Sequence, residues 1–244
     1  MKILSIGNSF SQDAHKYLPR LAMENGVPME LYNLYIAGCS LEKHWENAVW
    51  NKRNYLLEKD GVSTDRYVSL REALELETWD VITFQQASGQ SARFDTYTPY
   101  IQELSAYVRK YCPTAKQVIH QTWAYEHGAT HPAFARYGHD QKDMYRRHTA
   151  CAQRAAAEME ASMIPAGLVI QTMRETVPAF DYQNGGMTLC RDGYHLTLDY
   201  GRYAAAATWF KVLTGKTPAV NAFPEWDAHL IEVIHAGINA VVGE

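Results

Sequence analysis

The sequence predicts an α/β protein, a parallel sheet with helices on both faces in three layers, α/β/α. Three observations carry this expectation. Short apolar runs of strand length recur at residues 2–6, 29–37, 80–84, 117–121 and 164–170. Longer stretches with apolar residues at helical spacing separate them. Strands that alternate with helices lie parallel, and their right-handed crossovers place helices on both sides of the sheet. Five strand candidates therefore predict a five-stranded parallel sheet. At 244 residues the chain suits one domain with a sizeable core, and no repeat or linker divides it.

The elements follow in order. Residues 2–6 read as a buried strand ended by Gly7, and residues 17–25 as a helix stopped by Gly26. Residues 29–37 form the second strand, closed by Gly38. Residues 41–78 are polar, aromatic and charged, with Leu70 and Leu74 at helical spacing, and predict a helical insertion. Val81, Ile82, Thr83 and Phe84 favour extended structure and make the third strand. Pro99 opens a helix with Ile101, Leu104 and Val108 on one face, and Cys112-Pro113 ends it. Residues 117–121 are the fourth strand. A loop rich in His, Gly and Pro (127–139) leads into an Ala-rich helix over 140–159. Residues 164–170 predict a fifth strand, and helices over 201–213 and 226–242 complete the chain.

Composition narrows the partners. The chain is 47% hydrophobic and 20% charged, as soluble globular proteins are. A formal net charge of −4 argues against nucleic acid. No stretch approaches the roughly 20 apolar residues of a membrane span, and residues 1–6 are too short for a signal peptide. A cytoplasmic protein without a membrane partner is the default expectation. The cysteines, Cys39, Cys112, Cys151 and Cys190, form no Cys-x-x-Cys pair and read as free buried thiols. His127 and His131 stand four apart, but Gly128 and Pro132 oppose the helix that such a metal pair needs. No metal or cofactor is expected, and the loop reads as a solvated segment or a lid.

In parallel sheets the site lies at the carboxyl ends of the strands. The loops there carry Ser9, Gly38, Gln86 and Trp123. Far downstream stands Asp192-Gly193-Tyr194-His195. A serine becomes a nucleophile when a base takes its proton, and a carboxylate can fix the tautomer of a histidine that does so. Each piece also has an ordinary structural reading. Asn8, Ser9 or Ser11 suits a helix cap, Asp192-Gly193 suits a turn, and Thr197 or Asp199 suits the cap of the following helix.

Taken together, Gly7-Asn8-Ser9-Phe10-Ser11, Ala37-Gly38-Cys39-Ser40-Leu41 and Asp192-Gly193-Tyr194-His195-Leu196 resemble, in order, blocks of the SGNH (GDSL-like) hydrolase superfamily. The first block has Asn8 where that superfamily has Asp. The third departs further: Gln85-Gln86-Ala87-Ser88-Gly89 stands in place of Gly-x-Asn-Asp, as in some carbohydrate-esterase branches. The resemblance implies a flavodoxin-like sheet order and hydrolysis of an ester, including an O-acyl (acetyl) ester on a carbohydrate. Ser9, His195 and Asp192 would then be nucleophile, base and orienting carboxylate. The backbone N–H groups of Ser9 and Gly38 and the side chain of Gln86, or else Ser88, would hold the oxyanion. Trp123, Tyr125, Trp45 and Tyr194 would stand at the rim, where aromatic faces suit sugars or acyl groups, or would simply pack. Two rival expectations are a non-catalytic carbohydrate-binding protein on this fold and a metal-dependent hydrolase using the His-rich loop.

Overall fold

The computed structural model describes residues 1–243. In chain order the elements are β1 (Lys2–Gly7), α1 (Ser9–His15), α2 (Leu18–Glu24), β2 (Glu30–Tyr35), α3 (Leu41–Val49), β3 (Tyr55–Lys59), β4 (Val62–Val68), α4 (Leu70–Leu74), β5 (Val81–Phe84), α5 (Tyr100–Tyr111), β6 (Lys116–His120), α6 (Gln141–Glu158), β7 (Ser162–Ile164), α7 (Ala166–Thr176), α8 (Tyr200–Thr214) and α9 (Ala228–Val242). They build one sheet of order β4-β3-β2-β1-β5-β6-β7. The run β2-β1-β5-β6-β7 is parallel throughout, the flavodoxin-like order expected.

β1 lies at the centre because it is apolar towards both layers. Ile3 packs into the core beneath α1, α2, α7, α8 and α9. Leu4 and Ile6 belong to the core on the opposite face, with residues from α3, α4, α5 and α6. The period-two alternation of a strand divides one short run between two cores. α8 is buried almost all round, with Ala204–Ala207 at zero exposure, so that neighbouring helices approach its backbone closely.

Two expectations are corrected. Residues 41–78 are not purely helical. After α3 the chain forms an antiparallel hairpin, β3 and β4, that adds two strands beside β2. The turn is Asp60-Gly61, both with positive φ (50° and 74°), which suits a two-residue hairpin loop. β4 is exposed as far as Tyr67, so its polar residues hide it from a search for apolar runs. Its register against β3 shifts between Leu57 and Glu58, and Asp65 has φ 55°. The predicted strand over 164–170 is mainly helix. β7 ends at Ile164, and α7 begins at Ala166, just past Pro165. Val169, Ile170 and Met173 then take helical spacing into the core, and an apolar run of that length fits either structure. A further short helix, α1, begins at Ser9, and Asn8 among the cap candidates is the residue that caps it.

Several histidines are sealed inside this fold. Burial pushes His15 and His44 down to about 3, His148 down to about 4, and His120 well below its usual value. In the unfolded chain each binds a proton below about pH 6.5. The unfolded state therefore holds more protons between about pH 6.5 and the folded values, so stability is full above that window and falls as pH falls through it. Each histidine contributes up to about 1.4 kcal/mol per pH unit there. Thermal melts should show Tm dropping steeply from pH 7 to pH 5, and a flat Tm would contradict this account.

Candidate active site

The chain turns sharply from β1 into α1. Asn8 sits at the junction with extended backbone (φ −152°) and caps α1 by accepting from the Phe10 N–H at 3.0 Å. Ser9 is the first helical residue, so capping is left to Asn8 and the Ser9 hydroxyl is free for another partner. Gly7 is required by close approach: a Cβ there would lie 2.0 Å from Ser11 Oγ. Asn8 Nδ2 donates to the Cys39 carbonyl at 3.2 Å, tying this turn to the loop after β2. An aspartate could not donate that bond, which accounts physically for Asn in this block.

The second half of the site is the loop 190–197. Asp192 Oδ1 accepts from the backbone N–H groups of Tyr194 and His195 at 3.1 and 2.7 Å. Its Oδ2 lies 2.7 Å from His195 Nδ1, and His195 Nε2 lies 2.9 Å from Ser9 Oγ. Serine, histidine and aspartate thus form an unbroken hydrogen-bonded line across 186 residues of sequence. Partial burial pushes the Asp192 carboxyl up, but the bonds from the His195 backbone and ring and from Tyr194 outweigh it and hold the group below its usual value. A carboxylate that stays ionised can keep the His195 proton on Nδ1 and leave Nε2 as acceptor.

Asp13 brings the halves together. It lies on α1 one turn beyond Ser9 and is fully buried. It accepts from the Leu196 N–H at 2.9 Å, from Arg202 Nε at 2.7 Å and from Arg191 Nη1 at 3.2 Å. A second buried pair, Glu126–Arg174 at 3.2 Å, holds the preceding residues, since Glu126 also accepts from Thr188 Oγ1 and Leu189 N–H.

These segments enclose a pocket of about 310 Å³ at the carboxyl edge of the sheet. Ser9, His195, Gly38, Ser88, Tyr194, Tyr35 and His131 line it. Gly38 has φ 60°, a backbone state that glycine adopts freely. Neither the Ser9 nor the Gly38 N–H has a partner among the described residues.

The other expected site residues lie elsewhere. Gln86 does not reach the pocket. Its Oε1 accepts from Leu41 N–H and Ala87 N–H, and its Nε2 donates to the Thr96 carbonyl at 2.8 Å. Gln86 is therefore an internal brace, and Gln85 is the one joined to the turn that carries Ser9, donating to Asn8 Oδ1 at 2.6 Å. Trp123 is fully buried, stacked on Phe10 with its Nε1 donating to the Tyr194 carbonyl, so it supports the floor and does not form a rim. Tyr125 is likewise buried and reaches Ser88 Oγ at 2.9 Å. Trp45 lines a separate groove along α3 with Tyr100. Of the aromatic candidates only Tyr194 lines the pocket. His131, read as part of a solvated loop, lines it too. Among the described residues no three His, Cys, Asp or Glu side chains group as a metal would need, and no helix is long and apolar enough to cross a membrane.

Comparison with known proteins identifies the family and the fold. The model of a domain of unknown function (DUF4886) matches residues 2–229. A crystal structure of a DUF4886 family protein from Bacteroides uniformis is 36% identical, with a TM-score of 0.89 over 99% of this chain and 94% of that one. A candidate SGNH hydrolase from Slackia heliotrinireducens is 21% identical, with a TM-score of 0.58 over 87% and 98%. A mutant of an acetyl-xylooligosaccharide esterase from Geobacillus Stearmophilus is 12% identical, with a TM-score of 0.56 over 89% and 96%. At the lower identities the likeness is one of fold, and that fold is the SGNH/GDSL-like α/β/α fold. No curated protein matches the chain.

Removing Asp13 would leave two arginines facing a buried gap. Asp13→Ala should lower unfolding free energy in urea by about 3–5 kcal/mol, the usual cost of breaking a buried ion pair. A loss below about 1 kcal/mol would show that Asp13 is not the anchor described.

Proposed function

The chain belongs to the DUF4886 family, and from the geometry of its pocket we propose that it is a serine hydrolase of carboxylic esters. The line from Ser9 Oγ through His195 to Asp192, opening on a pocket, carries this reading. His195 Nε2 takes the Ser9 proton as the oxygen attacks the ester carbonyl. Negative charge moves onto the carbonyl oxygen, where the unpartnered N–H groups of Ser9 and Gly38 receive it. The carbon–oxygen bond to the alcohol then breaks, and His195 returns the proton to the departing oxygen. Water, activated by the same histidine, releases the acid and restores Ser9. Asp192 holds the ring and stabilises the imidazolium formed on the way.

The acyl group in this proposal is short. A pocket of about 310 Å³ is at the small end for ligand sites, and Phe10, Tyr35 and Tyr194 limit it further. Acetyl is the first candidate, with a carbohydrate as the alcohol. The acetyl-xylooligosaccharide esterase of the same fold supports that choice, as do the two tyrosines, whose faces suit sugar rings.

Wild-type protein should hydrolyse p-nitrophenyl acetate and be labelled by a fluorophosphonate probe, and Ser9→Ala should lose both. Absence of both in the wild type would reject the esterase reading and leave a binding protein. Gln86→Ala separates a brace from an oxyanion donor. Loss of a donor typically costs about 10²–10³ in kcat. Loss of the brace should instead cost about 1–3 kcal/mol of stability, with kcat on the folded protein changed less than about threefold. A hundredfold fall in kcat at unchanged Tm would restore Gln86 to the oxyanion hole.

A further inference from the structure

We propose that His131 is a substrate-binding residue whose Nε2–H donates to a hydroxyl of a polyol alcohol, a sugar above all, beside the ester that Ser9 attacks. The inference rests on the esterase reading and adds a selector for the alcohol.

The ring is fixed in position and in tautomer. His131 Nδ1 accepts from the Ala133 N–H at 3.1 Å. A backbone N–H can only donate, so Nδ1 carries no proton and the neutral ring holds its proton on Nε2. Tyr125 Oη lies 3.2 Å from the same Nδ1, whose one lone pair the Ala133 N–H already uses. Ser88 Oγ lies 2.9 Å from Tyr125 Oη, and either hydroxyl can donate in that bond. The ring is held beside Tyr125 and edge-on to Tyr194, with centroids 4.8 Å away in each case. Burial lowers its affinity for a proton, and the nearby His195 and Arg136 lower it further. The ring is thus kept neutral next to a residue that becomes a cation during turnover.

Two polar edges are left for a ligand. His131 Nε2–H has no partner among the described residues, and the ring lines the pocket. Ser88 Oγ, whichever way its bond to Tyr125 runs, keeps an oxygen lone pair for the same pocket. A donor and an acceptor side by side match a hydroxyl group, which needs one of each. Sugars carry hydroxyls beside an O-acyl group, whereas a phenol bearing the same acyl group offers none.

The test compares acetyl esters of one acyl group and two alcohols, monoacetylated xylose and p-nitrophenyl acetate, on wild type, His131→Phe and His131→Gln. His131→Phe should lower kcat/KM for the sugar ester on the order of 10–100-fold, as loss of a hydrogen bond to substrate does at a half-buried site. It should change the aryl ester less than about threefold. Gln, which keeps a donor, should recover part of the loss. Equal losses on both esters, no loss on either, or a wild type that cleaves the aryl ester but not the sugar ester would each overturn the proposal while leaving the esterase reading intact. A wild type inactive on the aryl ester would instead remove that reading itself. Histidine-labelled wild type gives an independent check by nitrogen NMR. His131 should be protonated on Nε2 at pH 7, and a proton on Nδ1 would overturn the assignment.

Discussion

Everything at the pocket depends on a single buried carboxylate. Ser9 and His195 come from opposite ends of the chain, and a hydrogen bond between two mobile side chains would not hold those ends in register. Asp13 does, because it is rigidly placed on the helix that begins with Ser9 and receives the Leu196 N–H directly after His195. A buried charge is costly when unpaired. Two arginines and a backbone donor surround this one, so any slip of the loop 190–197 would expose that cost. The cost makes the geometry stiff, and stiffness is what a site acting by positioning needs.

A second polar network lies under the turn from β1 into α1. His120 Nδ1 is 2.7 Å from Gln85 Oε1, so the ring donates there, and the Gln85 amide donates on to Asn8. Asn8 in turn holds the Phe10 and Cys39 backbones. The loops after β1, β2 and β5 and the end of β6 are thereby joined below the pocket, with His120 Nε2 left without a partner among the described residues. Buried networks of this kind favour one arrangement over its alternatives when their bonds are made.

The fold was largely legible because the parallel core obeys strand and helix periodicity at almost every element. The failures have local causes. β4 faces solvent, so polarity hid a strand that the Asp60-Gly61 turn signal alone could have revealed. The run after Pro165 is apolar on all sides, and such a run does not distinguish helix from strand. At the site, Ser9, Gly38, Asp192 and His195 were legible from motif order. Gln86 was misplaced because adjacent glutamines look alike in sequence, while strand alternation and the following turn send their side chains to different neighbours. His131, read from sequence only as half of a metal pair or part of a solvated loop or lid, reaches the pocket through tertiary contacts with Tyr125 and Tyr194.

The hairpin beside β2 has a consequence at the scale of many molecules. A parallel sheet that stopped at β2 would present a regular row of amides and carbonyls, a surface on which another chain could add a strand. β3 and β4 move that border outward to a strand whose middle is Ser63, Thr64, Asp65 and Arg66. The shifted register at Leu57/Glu58 and the left-handed backbone of Asp65 also break its straight run. The β4 border is thus ill-suited to templating a strand from another chain.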